Sequence, residues 1–254
     1  MFVHNLSPIL FSIGPISIRY YSLVYIIGFL LAYYILNKAV EKKKIKHLTK
    51  EGVEDLIIYI ILGVVIGSRI FHFVFYNPSI IWFDPLEILK VWHGGMSFHG
   101  GLIGIVIAYY LFHKKYPKVA FYDLADLLAI PAAFALFLGR IANFINGELW
   151  GTVTNVSWCV EFKGADRCRH PSQLYESLKN LFIFAILSFN FNNKKRKKGE
   201  NFWLFVLLYG ILRFITNFWR ADARWLGIST GQYLSLVMVI VASIFLYKLK
   251  THKK

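Results

Sequence analysis

Residues 56–67 have the sequence Leu-Ile-Ile-Tyr-Ile-Ile-Leu-Gly-Val-Val-Ile-Gly, which contains no charged side chain. They lie inside an apolar segment that covers residues 54–76. A helix needs roughly 20 mostly apolar residues to cross the hydrocarbon core of a bilayer. Backbone polar groups in hydrocarbon must be paired within the protein, so the segment is predicted to be a transmembrane helix.

Similar apolar segments recur along the rest of the chain. They cover about 17–37, 95–113, 121–141, 174–192, 202–219 and 232–250. None shows the alternation that is typical of a membrane β-barrel strand. With the segment at 54–76, they predict an all-α, polytopic membrane helix bundle of about seven transmembrane helices. We expect a single integral membrane domain over residues 1–254, surrounded by the lipid bilayer.

The composition is consistent with a membrane protein. Apolar residues make up 57% of the chain, and charged residues make up 17%, against about a quarter in soluble domains. The net charge of +15 is concentrated in blocks between the apolar segments and does not cover one face. This placement indicates membrane topology and argues against a nucleic-acid partner. The first residues lack the pattern of a cleaved signal peptide.

Lysine and arginine between the segments predict the orientation. The first, third and fifth loops and the C-terminal tail hold 18 of these residues, and the other loops with the N-terminal segment hold 7. Because cytoplasmic loops carry the excess of positive charge, we expect the N-terminus outside and the C-terminus in the cytoplasm. The longest non-helical stretch, about 142–173, then lies on the outer side.

Cys159 and Cys168 both lie in this outer loop. Two cysteines are too few for a disulfide framework, but these two could pair, and free thiols are the alternative. No His/Cys cluster has the spacing of metal ligands. We therefore expect neither a metal site nor a cofactor.

Four cations fall inside the apolar segments, namely Arg69, Arg140, Lys179 and Arg213. Charged residues in a membrane span are costly and by default indicate a functional site. Lys179 is expected to extend its amine to the interface, because it lies near a helix end. The spans offer few acidic partners, so the arginines suggest an anion that the ligand brings. Guanidinium groups suit phosphate in particular. An ion pair with an acid of the protein is the alternative.

The third segment opens with Gly-Gly-Met-Ser-Phe-His-Gly-Gly at residues 94–101. Because glycine has no side chain, these residues leave backbone polar groups exposed at a membrane boundary, where a polar lipid head group is one candidate partner. His99 could act as a general base near neutral pH, or it could be hydrogen-bonded in the bundle. The pairs Gly63/Gly67 and Gly100/Gly104 have the spacing that favours close helix packing.

The fourth segment closes with Gly-Arg-Ile-Ala-Asn-Phe-Ile-Asn-Gly-Glu-Leu-Trp-Gly at residues 139–151. Arg140 and Asn143 are three positions apart and share a helix face; Asn146 continues this face if the helix persists. Gly147 and Gly151 allow the chain to turn. Ordinary helix capping is the alternative, but the density of amide and charge favours a polar binding pocket.

Tyrosines appear in two further places. Tyr209 and Arg213 are four positions apart on the sixth segment and share a face. Tyr20, Tyr21 and Tyr25 lie in the first segment, where interfacial aromatic belts are common.

Together, five ordered motifs resemble the prolipoprotein diacylglyceryl transferases. The motifs are Phe-Ser-Ile-Gly-Pro at 11–15, the stretches 94–101 and 139–151, His-Pro-Ser-Gln-Leu-Tyr-Glu at 170–176, and Tyr-Gly-Ile-Leu-Arg at 209–213. The resemblance implies a multi-pass enzyme of the bacterial cytoplasmic (inner) membrane. Its partners would be phosphatidylglycerol and prolipoprotein signal peptides with a lipobox cysteine. A diacylglyceryl group would move to the cysteine thiol, and glycerol phosphate would leave.

The resemblance also implies which positions are functional. They are Tyr21, His99, Arg140, Asn143, Glu148, Gly151, Tyr209 and Arg213. Arg140 and Arg213 would stabilise the charge that gathers on the leaving group, and Arg140 would also bind the lipid phosphate. Asn143, Asn146 and Glu148 would orient the glycerol head group. Either His99 takes the proton of the thiol, or the field of the arginines lowers the pKa of that thiol.

Two other classes of protein fit the intramembrane arginines less well. A phospholipid-binding transporter or flippase predicts internal repeats, and none is found in the sequence. A structural membrane scaffold leaves buried arginines without a purpose.

Overall fold

The computed structural model of the chain describes residues 2–14, 16–193 and 195–251. These residues form eight α-helices. They are α1 (Tyr20–Glu41), α2 (Lys50–Phe75), α3 (Pro78–Phe83), α4 (Phe98–Lys115), α5 (Phe121–Ile145), α6 (Ser172–Phe191), α7 (Glu200–Thr216) and α8 (Thr230–Thr251). All except α3 overlap one of the seven predicted segments. Two short 3-10 helices, Pro85–Leu89 and Val91–His93, connect α3 to α4, and a third, Asn217–Trp219, extends α7.

Five of the described helices are long and apolar enough to cross a membrane. They are α1, α2, α5, α7 extended to Trp219, and α8. The other two long helices are more polar. Helix α4 ends on His113, Lys114 and Lys115, and α6 carries buried Lys179 and Asn180 in its interior. The chain is therefore a polytopic helical membrane protein with at least these five spanning candidates.

The described residues are mostly helical, as predicted, and short strands that the sequence did not predict lie outside the helices. Strand β1 (Phe2–Val3) pairs in parallel with β4 (Val160–Glu161), with Phe2 opposite Val160. The other strands are β2 (Ile9–Ile13), β3 (Ile16–Arg19), β5 (Arg224–Trp225) and β6 (Ile228–Ser229), which pair as β2–β3 and β5–β6. Segments outside the helices still carry backbone donors and acceptors, and these strands pair some of them.

The chain forms two compact units. The first consists of Met1–Ile13, Ile18–Gly28 and Tyr122–Lys254, and the second consists of Gly14–Ser17 and Phe29–Phe121. The first unit therefore contains α6, α7, α8 and almost all of α5. The second contains α2, α3, α4 and the later part of α1.

Glycines bring α2 and α4 together in the second unit. A Cβ atom on Gly100 or Gly104 would overlap the backbone carbonyl of Gly67 or Gly63, respectively. The predicted close packing through these two pairs is therefore confirmed. Ser97 caps the start of α4 with its side-chain oxygen, which accepts from Gly100 N at 3.5 Å.

In the first unit, Asp126 of α5 fixes the start of α7. Its carboxylate accepts hydrogen bonds from Gly199 N at 2.8 Å and Phe202 N at 2.9 Å, and it also pairs with Arg196. The first N–H groups of a helix have no partner within the helix, and here a carboxylate from a neighbouring helix supplies one. We call Asp126, Arg196 and these two amides the Asp126 cap.

The stretch between α5 and α6 is closed by a disulfide bond between Cys159 and Cys168. The structure thus forms the pair that the sequence left open. Beside it, Arg169 forms isolated backbone bridges with both Val153 and Val160. This stretch ends at the start of α6, the helix that carries the central residue of the candidate active site.

Candidate active site

Glu176 lies at the centre of a buried group of charges in the first unit. It stands on α6 with an exposed fraction of 0%. Its Oε1 accepts from Arg213 of α7 and from Arg220 Nη1, the latter at 3.1 Å. Its Oε2 forms an ion pair with Arg140 Nε of α5 at 2.7 Å. One carboxylate therefore holds three guanidinium groups from three parts of the chain.

This arrangement corrects the expectation that Arg140 and Arg213 lack an acidic partner. Both pair with Glu176, so the alternative of an ion pair within the protein is present in the structure. The sequence showed Glu176 as one of few acids in the spans, but it could not show that α6 presents it to both arginines. A ligand anion can bind as well if the positive charges of the arginines outnumber the negative charges of the acids around them.

Asp222 is the second acid of the group. It pairs with Arg220 through two hydrogen bonds, Nε to Oδ2 at 2.9 Å and Nη2 to Oδ1 at 3.0 Å, and Arg213 Nη2 lies 3.8 Å from Oδ2. Partial burial alone would raise the pKa of the Asp222 carboxyl, but the hydrogen bonds and charge of Arg220 hold that pKa below its ordinary value. Asp222 thus stays ionised and orients Arg220.

We call Glu176, Arg140, Arg213, Arg220 and Asp222 the Glu176 cluster. The exposed fractions of the three arginine side chains are only 17%, 14% and 8%. Three guanidinium groups face two carboxylates, so the cluster carries an excess of positive charge. Excess charge in a poorly solvated site is costly unless an anion joins it. The cluster can therefore bind a phosphate group, for which guanidinium geometry is suited.

Amides extend the Glu176 cluster along α5. Arg140 Nη1 donates to Asn143 Oδ1 at 3.4 Å, and Asn143 Nδ2 donates to Glu148 Oε1 at 2.8 Å. Asn146 Nδ2 donates to the same Glu148 oxygen at 3.1 Å. The common face predicted for Arg140 and Asn143 is confirmed, because α5 continues to Ile145, beyond the predicted end of the segment. Glu148 is exposed and presents acceptor oxygens for hydroxyl groups.

The turn after α5 is tied to the start of α6. Gly147 has a φ of +68°, a conformation that glycine adopts without strain. The carbonyl of Glu148 accepts from Gln173 Nε2 at 2.6 Å, and the carbonyl of Leu149 accepts from Ser172 Oγ at 3.1 Å. These bonds fix Glu148 relative to Glu176, which lies one turn further along α6.

Gly151 has a backbone role in the structure. Its N–H donates to the His170 carbonyl at 2.9 Å, and it forms a backbone bridge with Arg220. A Cβ at this position would lie 2.7 Å from the His170 carbonyl oxygen and would also overlap the Trp219 carbonyl. The absence of a side chain therefore lets the segment that carries Arg220 approach. The structure thus gives Gly151 a role in positioning Arg220, and its contact with substrate stays a prediction.

Lys179 and Tyr209 face each other beside the Glu176 cluster. The Lys179 Nζ lies 4.1 Å from the centre of the Tyr209 ring. Lys179 has an exposed fraction of 6%, so the prediction that its amine reaches the interface is wrong. Tyr209 stays one turn before Arg213, as its spacing predicts. Tyr21 lies on α1, where its ring packs against Tyr25 with centroids 5.6 Å apart.

His99 lies in the second unit, at the first turn of α4. Its side chain is exposed, and its ring contacts Phe98 and Phe71 with centroid distances of 5.8 and 6.3 Å. Among the described residues, the imidazole has no hydrogen-bond partner. The alternative of a histidine that is hydrogen-bonded within the bundle is therefore not what the structure contains, and the ring nitrogens are available to a substrate.

Arg69, also in the second unit, serves the fold. Its guanidinium donates to the backbone carbonyls of Ile88 at 3.0 Å and Lys90 at 3.1 Å, and to that of Gly94. The exposed fraction of Arg69 is 3%. Carbonyl oxygens thus supply the acceptors that an acid would otherwise provide. Arg69 therefore occupies backbone carbonyls at residues 94 and 95, for which a lipid head group was a candidate partner.

His93 is also engaged within the second unit. Its Nδ1 lies 2.7 Å from Glu87 Oε1, and Lys90 lies 3.2 Å from the other oxygen of Glu87. The hydrogen bond from His93 lowers the pKa of the Glu87 carboxyl. This local pairing gives His93 a partner, in contrast to His99.

Three members of the site received no role from the sequence, namely Glu176, Arg220 and Asp222. Glu176 lies inside the motif at 170–176, and its rarity as an acid in a span was a usable signal. Arg220 and Asp222 follow the sixth segment and had the appearance of ordinary loop charges. Within the described residues, no group of three or more His, Cys, Asp or Glu side chains could hold a metal ion.

Comparisons with known proteins agree with the motifs. The sequence model of the family described as prolipoprotein diacylglyceryl transferase matches residues 8–248. The chain is 44% identical over 252 residues to a phosphatidylglycerol–prolipoprotein diacylglyceryl transferase of Rickettsia canadensis, with 96% of each chain covered. It is 41% identical over 260 residues to the protein of the same name from Rickettsia typhi, with 99% of this chain and 100% of the relative covered.

Proposed function

The chain belongs to the prolipoprotein diacylglyceryl transferase family, and from this premise we propose that the Glu176 cluster binds the phosphate of the lipid substrate. The protein is an enzyme that transfers a diacylglyceryl group from phosphatidylglycerol to prolipoproteins. The names of its relatives favour this activity over lipid transport or flipping. The observation that carries our proposal is the excess of guanidinium groups over carboxylates around Glu176.

The reaction moves charge onto the phosphate. The thiolate of the lipobox cysteine attacks the glyceryl carbon that is bonded to the phosphate oxygen. The new bond is carbon–sulfur, the carbon–oxygen bond breaks, and its electron pair stays on the departing glycerol phosphate. Fixed positive groups in a site with little water stabilise such developing charge best. Arg140 and Arg213 are the proposed catalytic pair, and Arg140 also binds the phosphate in the ground state.

Neighbouring polar groups are suited to the glycerol head group. Asn143 and Asn146 hold the exposed Glu148 carboxylate, which can accept hydrogen bonds from glycerol hydroxyls. Tyr209 and Tyr21 are proposed to contact the lipid with their rings. Gly151 acts indirectly, through the position of Arg220.

The origin of the thiolate has two explanations. A cysteine thiol has a pKa of about 8.5, and only the thiolate is a strong nucleophile. His99 is exposed and has no hydrogen-bond partner in the described part of the chain, so it is suited to take the proton. Alternatively, the positive field of the Glu176 cluster lowers the pKa of the thiol and makes a base unnecessary. Replacing His99 separates these explanations.

We further propose seven membrane crossings, with the C-terminus in the cytoplasm and the active site towards the outer side of the bacterial inner membrane. Seven long helices and the distribution of lysine support this topology. The disulfide bond between Cys159 and Cys168 gives independent support, since such bonds persist in oxidising compartments outside the cytoplasm. We also propose that residues 1–254 work as one transferase domain.

The test is a transfer assay with labelled phosphatidylglycerol and a lipobox peptide. Wild type is expected to label the peptide cysteine. Arg140→Lys, which keeps the charge but loses the planar fork, should lower the rate by about 10²–10³. Arg167→Lys on the outer loop is the matched control and should keep the wild-type rate, because Arg167 is exposed.

Each result has a defined meaning. A full rate for Arg140→Lys, with normal membrane insertion, would contradict the proposed phosphate site. A large loss with His99→Gln would identify His99 as the base, whereas an unchanged rate would assign thiolate formation to the field of the arginines. No transfer by folded wild type would remove the proposed mechanism.

A further inference from the structure

One buried cation has no role in the mechanism above. Lys179 lies on α6 in the first unit and has an exposed fraction of 6%. Its Nζ is inaccessible to solvent and has no hydrogen-bond partner within residues 2–14, 16–193 and 195–251. A buried ammonium group normally has acceptors for its protons, because desolvation without them is costly. The Tyr209 ring lies 4.1 Å from Nζ, but a ring face offers no conventional acceptor.

The position of Lys179 connects it to the Glu176 cluster. It follows Glu176 by three residues, so the two side chains lie on one face of α6. The charge of Lys179 is attracted by Glu176 and repelled by Arg213, Arg140 and Arg220. Three arginines already outnumber the carboxylates, so another cation in the same place is unfavourable within the protein alone. An anionic ligand would remove this conflict.

The charges of substrate and product differ in a way that fits this cation. With Lys179 protonated, the three arginines and Lys179 supply four positive charges against the two negative charges of Glu176 and Asp222, which leaves two surplus positive charges. The phosphodiester of phosphatidylglycerol carries one negative charge. The phosphomonoester that leaves as glycerol phosphate carries almost two near neutral pH. The two surplus positive charges therefore match the charge of glycerol phosphate, the product of carbon–oxygen cleavage, better than the charge of the intact lipid.

We propose that Lys179 is a further catalytic residue, whose ammonium group donates a hydrogen bond to the departing phosphate and stabilises its second negative charge. This inference rests on the proposed function of the Glu176 cluster. The thiolate supplies one negative charge and the phosphodiester the other, and both reside on glycerol phosphate once the carbon–sulfur bond has formed. Because this second charge is absent from the ground state, the interaction lowers the barrier rather than strengthening lipid binding.

The first experiment separates turnover from binding. Lys179→Met replaces the amine by an apolar group of similar length. We expect kcat to fall about 10²-fold, with KM for phosphatidylglycerol within about threefold of wild type. Lys179→Arg should recover part of kcat, since it restores the charge. Lys114→Met is the control, because Lys114 also lies over a tyrosine ring, that of Tyr110 at 4.8 Å, but is exposed.

The second experiment begins with wild type, so its first result does not depend on a variant that folds. Glycerol phosphate and its methyl ester, which carry two and one negative charges, are compared as inhibitors. Wild type should bind the dianion at least tenfold more tightly. Lys179→Met should reduce this preference several-fold. Thermal unfolding in detergent verifies that the variant is folded, and Lys179→Gln replaces it if it is not.

The outcomes distinguish this inference from the function on which it rests. A wild-type kcat in folded Lys179→Met, or equal inhibition of wild type by the two phosphates, overturns the role of Lys179 and leaves the Glu176 cluster intact. A rise in KM with unchanged kcat overturns it as well, because Lys179 would then bind the intact lipid. Failure of the wild type to transfer lipid would instead overturn the proposed function.

Discussion

Two buried carboxylates of the first unit have opposite surroundings. Asp126 is 2% exposed. It accepts from the Gly199 and Phe202 amides and pairs with Arg196. Glu176, 0% exposed, is surrounded by three arginines with Lys179 close by. The helix α5 connects the two places, since Asp126 and Arg140 are separated along it by about 21 Å.

The difference indicates how a buried polar group can be classified. At the Asp126 cap, one carboxylate meets helix amides and one arginine, and the charges balance. In the Glu176 cluster, cations exceed carboxylates, and nearby Lys179 Nζ and Asn180 Oδ1 have no hydrogen-bond partner in the described part of the chain. Burial of a polar group does not by itself indicate a functional site. A net charge among buried groups, which a ligand of opposite charge can neutralise, does indicate one. Substitutions in the two regions test this distinction.

Replacing Glu176 should have the largest effect on stability. Glu176→Gln leaves three buried guanidinium groups without their shared counter-ion. Breaking a buried ion pair by removing one partner costs about 3–5 kcal/mol, and we expect a loss of this order in denaturant unfolding of the detergent-solubilised enzyme. Glu41→Gln, which removes an exposed pair with Lys50, is the control and should change stability by less than about 1 kcal/mol. An equal effect of both changes would contradict the central role of Glu176.

Arginine-to-lysine changes compare the two regions through activity. Arg213→Lys should lower kcat about 10²-fold, because the ammonium group cannot reproduce the planar fork towards phosphate. Arg196→Lys at the Asp126 cap keeps the charge next to a carboxylate that binds no substrate, so kcat should stay within about twofold of wild type. Both values come from the lipid-transfer assay, corrected for the folded fraction. A similar loss for both variants would show that the distinction between the regions is invalid.

The Asp126 cap should matter for stability only. Asp126→Asn removes the charge that pairs with Arg196 and one of the two acceptor oxygens used by α7. We expect about 1–3 kcal/mol of destabilisation, measured by unfolding in detergent, and an unchanged kcat for the folded enzyme. A lower kcat without loss of stability would indicate that Asp126 takes part in the reaction.

Asp222 should give the smallest effect, and one that depends on pH. The pKa of its carboxyl is lower in the folded protein than the ordinary value of 3.8. The stabilisation that it supplies is therefore complete above this ordinary value and is lost as the pH falls through the lower folded value. Asp222→Asn should lower stability at pH 7 by no more than about 1 kcal/mol, because Asp222 is partly exposed.

The control for Asp222→Asn is the same measurement at lower pH. Unfolding free energies of wild type and Asp222→Asn should converge as the pH is lowered towards 3. A constant difference between the two proteins down to that pH would mean that the Asp222 charge contributes nothing to the fold.

Local periodicity predicted much of the molecule. The long helices coincide with the apolar segments, and the pairs Gly63/Gly67 and Gly100/Gly104 pack as their spacing indicates. Arg140 and Asn143 share a face because three residues make nearly one helical turn. These features depend on residues close in sequence, so the sequence is sufficient for them.

The failures involve residues distant in sequence. Lys179 was expected at the interface, but α6 places it beside Tyr209 of α7. Arg69 was a candidate for ligand binding, but it holds backbone carbonyls at Ile88 and Lys90. A charged side chain has no periodic signal for its partner, because the partner is chosen by packing between helices. Strand β1 was missed for the same reason, as it pairs with β4 at residues 160–161.

The membrane environment, the helices, the family and the two arginines that are central to the proposed chemistry could all be predicted from the sequence. Hydrophobicity, helical spacing and ordered motifs are properties of the linear chain. The sharing of Glu176 by Arg140, Arg213 and Arg220 appears only in the folded chain, as does the lack of an acceptor for Lys179 among the described residues. The balance of charge in a site is a sum over groups within a few ångströms, and folding alone brings those groups together.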